Sequence, residues 1–187
     1  AQNYMDKWQR HEEDLAVFED CGSTTNNEHG KTKKPNQPER NLKLEAIGKV
    51  LRRELKARVH AHRADDMLTA IRIADEFNLD LTLEHATEGH KIADILAAKN
   101  IPVTVGPLFL NRPKFELKNL THKNAGILAK AGVKVAIQTD AMADVKYLTI
   151  NAALAVREGM PEEDALKAIT IHPAEIIGVA ERVGSLE

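Results

Sequence analysis

Residues 58–66 read RVHAHRADD, so His60 and His62 stand one residue apart and Asp65 and Asp66 follow closely. In an extended strand side chains alternate between faces, so these two imidazoles share one. Imidazoles are costly to bury unpaired and are common ligands of divalent metals. Comparable chemistry recurs downstream, where His85 closes LDLTLEH and Asp140 closes VKVAIQTD. Histidine nitrogen and carboxylate oxygen suit Zn²⁺ and similar ions. A carboxylate beside a metal-bound water also takes its proton as the water attacks. On this reading His60 or His62 and His85 hold a cation, and Asp140 ligates it or serves as base. Each residue alone has a plainer explanation, a hydrogen-bonded structural histidine or an aspartate in a cap or turn. Their recurrence at equivalent places in successive units is what favours a site.

The elements that must position these residues alternate along the chain. ARVHAH, LDLTLEH, IPVTVGP and VKVAIQTD read as strands. After them come helical patterns in DDMLTAIRIADEF, GHKIADILAAKN, HKNAGILAKAG and YLTINAALAVREG, then PEEDALKAITIHPAEIIG as one further helix. Four strand–helix units after Arg58 predict an α/β fold with a parallel sheet. In such sheets sites collect at the carboxyl ends of the strands. Asp65 or Asp66 is expected as an N-cap. Glu84 and Glu88 read as solvated or capping, and His90, His122 and His172 as structural or surface residues. Upstream, residues 1–18 suggest a helix with a weak apolar face. Residues 19–41 have almost nothing to bury and read as a long polar loop. A helical spacing of apolar residues returns in LKLEAIGKVLRREL.

The whole chain has 187 residues, 43% hydrophobic and 29% charged, with a formal net charge of −2. That is enough for one domain, and no basic excess points to nucleic acid. A single cysteine excludes an internal disulfide and makes the cytoplasm the expected compartment. No apolar run reaches the roughly 20 residues that cross a bilayer, so no membrane partner is expected.

VHAHRADDMLTAIRIADEF, LEHATEGHKIADILAAKNIPVTVGP, AGVKVAIQTD and AALAVREGMPEEDALKAITIHPAEIIGVAERVGSLE together resemble the amidohydrolase superfamily, in its imidazolonepropionase-like (prolidase-like) branch. The resemblance runs from about Leu42 onward. It implies a metal-dependent hydrolase of (β/α)₈ TIM-barrel type that cleaves C–N bonds in cyclic or peptide-like amides. Carried over, the metal ligands fall on His60, His85 and Asp140, with Asp140 also moving the proton. His62 becomes an alternative ligand or a substrate contact, and the metal is expected to be Zn²⁺. The family's first His-x-His strand and its fourth-strand lysine or glutamate have no counterpart here. A full barrel takes about 250 residues and eight strands. The expectation is therefore a single partial domain over residues 1–187, the C-terminal half of a barrel, with its last four strand–helix units in 58–187. Such a half barrel is expected to take a small amide or dipeptide-like substrate, and to self-associate or pair with a missing N-terminal half. The competing expectation is a non-catalytic binding or assembly module whose ligands are vestigial.

Overall fold

Two different rows of side chains run across the sheet, and they set which side is core. In the computed structural model, which describes residues 1–22, 34–108 and 114–186, four strands form one parallel sheet in the order β1 (Ala57–Ala61), β2 (Leu81–His85), β3 (Val103–Val105) and β4 (Val135–Ile137). Val59, Leu83, Val103 and Val135 stand in register on one face. They pack against the buried cluster that includes Met67, Ile71, Leu96 and Leu128 from the helices. His60, Glu84, Thr104 and Ala136 form the adjacent row, on the other face. The expected four-stranded α/β unit is thus present.

The chain divides into two compact units, Ala1–Leu55 and Lys56–Glu187. The first holds α1 (Gln2–Gly22) and α2 (Leu42–Leu51). Asn41 caps α2 by accepting from the Leu44 N–H, and the Tyr4 hydroxyl donates to Glu45 at 3.2 Å. Helix α1 continues through residues 19–22, which the sequence reading assigned to a loop. Of the remaining polar stretch, residues 23–33 lie outside the described residues, and 34–41 take no regular structure.

In the second unit α3 (Ala64–Phe77) follows β1, and α4 (Ala93–Ala98) follows β2 after a 3-10 turn, Gly89–Lys91. Helix α5 (Asn124–Lys130) precedes β4, and α6 (Leu148–Arg157) follows it after a second 3-10 segment, Met142–Tyr147. Neither Asp65 nor Asp66 caps α3. Arg63 holds the N-cap position and pairs with Asp65, while the Ala64 N–H donates to the distant Glu88 carboxylate at 3.0 Å. The expected last helix is two, α7 (Glu162–Lys167) and α8 (Ile171–Ile176). Pro173 accounts for the break, because its ring excludes the carbonyl four residues back and it has no N–H to give.

The break also serves the sheet. The Ile137 N–H donates to the Ala168 carbonyl at 2.9 Å, and His172 Nδ1 donates to the Val135 carbonyl at 3.0 Å. The outer edge of β4 is thereby covered. Among the described residues no helix is long and apolar enough to cross a membrane.

Candidate metal centre

Histidines 60, 62 and 85 meet at the carboxyl end of β1 and β2. Their ring centroids lie 4.7 Å (His60–His62), 4.4 Å (His60–His85) and 4.7 Å (His62–His85) apart. Each offers a ring nitrogen such that all three fall within 4.8 Å of one another. His60 and His62 share a side because they are two apart along an extended chain. His85 arrives differently. It pairs in register with Ala61 and Val105, and strict alternation would turn it toward the helices with them. Its φ of 69° places it in the left-handed region, and Ala86 follows at 40°. That turn swings the ring back to the face of His60.

Two of the rings are fixed by partners. His85 Nδ1 lies 2.7 Å from the Gly106 carbonyl oxygen, which Gln138 Nε2 also approaches at 3.5 Å. A carbonyl only accepts, so Nδ1 carries the proton and Nε2 keeps its lone pair. Position 106 requires glycine, since a Cβ there would run into the Gln138 carbonyl oxygen. His62 Nδ1 is 2.8 Å from the Thr87 hydroxyl, and its Nε2 is 3.7 Å from Glu116 Oε1. Burial, helped by the neighbouring His85, pushes the His62 imidazole down to about 4. It is therefore neutral and ligand-competent well below neutral pH. His60 is the exposed member of the three.

The cluster forms one wall of a cavity of about 200 Å³. Val105, Pro107, Leu108, Leu117 and Leu120 give it an apolar side, with Lys114, Thr121, Asn124 and Asp140 at polar positions. Asp140 is exposed, with a φ of 62°. Among the described residues, the group whose ligand atoms converge is the three histidines, and Asp140 lies outside it. His62, expected as an alternative, stands as close as the other two. Three nitrogen donors from imidazoles fit a borderline ion such as Zn²⁺ better than a hard one such as Mg²⁺ or Ca²⁺.

Glu88 was read as solvated or capping, and it proves buried as well as capping. Its carboxylate accepts from the Ala64 N–H, from Lys91 and from Asn119, while its backbone N–H donates to the His62 carbonyl at 2.9 Å. Burial opposes its ionisation, but these hydrogen bonds outweigh it and hold the carboxyl down to about 2. His90 and His122 are structural, bonded to Asn124 and to the Leu108 carbonyl.

A family model described as the Amidohydrolase family matches residues 43–187. A crystal structure of an amidohydrolase from Thermotoga maritima MSB8 superposes with a TM-score of 0.80 at 42% identity, covering 99% of this chain and 45% of that one. A second amidohydrolase crystal structure shares the fold at 17% identity and a TM-score of 0.55, over 75% of this chain and 37% of its own. The amidohydrolase tasK of Hapsidospora irregularis is 21% identical over 152 residues, which are 78% of this chain and 15% of that protein. The chain thus spans less than half the length of these relatives. A sheet that carries imidazoles at its strand ends, and a family match over most of the sequence, lead to one conclusion: the chain belongs to the amidohydrolase family.

Proposed function

We propose that this chain carries the metal-binding part of a hydrolase that cleaves C–N bonds in small cyclic or peptide-like amides, with Zn²⁺ as the ion. The observation that supports this most is the convergence of three histidine ring nitrogens within 4.8 Å. His60, His62 and His85 would hold the cation, and Asp140, on the wall of the same cavity, would accept the proton from the attacking water. When bound, the ion supplies Lewis-acid polarisation of the water and of the scissile carbonyl. The chain's own part is to fix the ligand rings through Gly106 and Thr87, and to exclude water with Leu108, Leu117 and Leu120. Within the family we place the chain in the imidazolonepropionase-like, prolidase-like branch on the motifs quoted above, and in the cytoplasm on its single cysteine. As partners we propose a small amide substrate, and either a second copy or a separate N-terminal half.

Zinc content after chelation and reloading, measured by mass spectrometry, tests the metal. About one equivalent is expected, and a chain that takes up none would sink the proposal. A second reading, a binding module with vestigial ligands, draws on Asp140 lying outside the convergent group. Amide turnover above that of the Asp140→Asn variant would exclude it.

A further inference from the structure

We propose that Asn124 is a positioning residue for the histidine cluster, its buried amide locking the left-handed turn that carries His85 to His60 and His62. The inference rests on reading that cluster as a metal site. The need for a lock follows from the pleat. Ala61, Val105 and Ile137 occupy the same register row as His85 and are buried in the core. Left in regular strand geometry, His85 would turn the same way. Two consecutive non-glycine residues with positive φ prevent it, at 69° and 40°. Conformations of this kind are strained for residues other than glycine and persist only where the surroundings over-determine them.

The surroundings here consist of a few hydrogen bonds. The Ala86 N–H donates to the Ala61 carbonyl at 3.0 Å, and the Gly89 N–H donates to the Ala86 carbonyl at 2.8 Å. These bonds join the turn to its own strand pair and to itself. Glu88 ties the following loop to the start of α3 through the Ala64 N–H, and Asn124 ties the turn itself to α5. Asn124 Nδ2 donates to the Ala86 carbonyl at 2.8 Å, and Oδ1 accepts from the His90 N–H at 2.8 Å. The residue is 2% exposed and opens α5, whose Ala125 and Leu128 are wholly buried. Its amide is thus a strut from a core helix to Ala86 in the turn and to His90 beyond it.

The residue type is specific to this task. Asparagine presents a donor and an acceptor on one planar group. Aspartate keeps the acceptor for His90 but turns a charged oxygen toward the Ala86 carbonyl. Leucine is of similar shape and satisfies neither partner, leaving buried polar groups unpaired.

The experiment compares wild type, Asn124→Asp, Asn124→Leu and a core control, Ile71→Val. Zinc is titrated into each chelator-treated protein, and the His85 imidazole ¹⁵N signature is recorded without metal. Both Asn124 variants are expected to bind zinc about 10–100-fold more weakly, the usual effect of losing such support. They should also lose the Nδ1-protonated signature that Gly106 imposes on His85. The control, destabilised only through packing, should keep wild-type affinity and signature. An unchanged His85 signature in the Asn124 variants overturns the proposal, whatever happens to their stability. If wild type itself takes up no zinc, the metal reading fails, while the metal-free signature still decides the role of Asn124. Should Asn124→Leu not fold, the isosteric Asn124→Asp carries the test.

Discussion

His62 is only 6% exposed and its imidazole sits near 4 rather than near 6.5, chiefly because it is buried. In the unfolded chain the same group takes a proton as pH falls through 6.5, whereas in the fold it resists until about 4. Stability of the metal-free protein should therefore be complete above pH 6.5 and decline between 6.5 and 4, by at most about 3 kcal/mol. Urea midpoints across that range should show the decline, and His62→Gln should flatten it. An equal slope in the variant would place the proton elsewhere. A second expectation concerns His85. Its replacement by alanine should abolish stable zinc uptake while moving the thermal midpoint by only a few degrees, since it truncates a polar ring at a strand end and leaves the apolar cluster in place. Calorimetry and metal analysis on the same sample check both halves. The common face of His60 and His62 was legible from spacing two alone. The arrival of His85 was not, because nothing in LDLTLEHATE marks a left-handed turn: no glycine or asparagine stands at 85 or 86.

Elements were legible where periodicity and burial agree. Each of the four strands lies within its apolar run, because one face of each is buried under helices. Legibility failed where a distant group decides the local structure. The start of α3 is capped by Glu88 from another loop, so a nearby aspartate was the wrong choice. Glu88 predicts its own pH window. Its carboxyl, held near 2, contributes stability that is present above about 4.5 and lost as pH falls toward 2. Glu88→Gln should remove that acid-side decline and leave the one between 6.5 and 4 untouched, as urea midpoints will show. At the junction of β3 and β4, Gly106 has a φ of 131° and room for no side chain. Gly106→Ala must force the Gly106 and Gln138 backbones apart and so shift the Gly106 carbonyl that orients His85. Zinc affinity should fall together with thermal stability, in contrast to His85→Ala, where affinity falls alone.

At the scale of the whole sheet its two edges differ, and the difference bears on association. The edge of β4 is occupied by the Ala168 carbonyl and the His172 imidazole. On β1 the Ala57 N–H and the Ala61 carbonyl point to β2. In a parallel ladder the same holds for every second residue, so the backbone groups of Arg58 and His60 face outward. Among the described residues no strand pairs with β1 on that side. An unpaired strand edge is a template for another chain, and the proposed occupant is a second copy or an N-terminal half. Self-association measured by sedimentation should therefore rise with concentration. Arg58→Pro removes one outward donor while sparing the bonds to β2, and it should suppress the association. It also removes the Arg58–Glu84 ion pair, so Arg58→Gln is the necessary partner variant. If Arg58→Gln dissociates as readily as Arg58→Pro, the ion pair is responsible and the edge is not. If Arg58→Pro associates as strongly as wild type, β1 is not the surface through which copies meet.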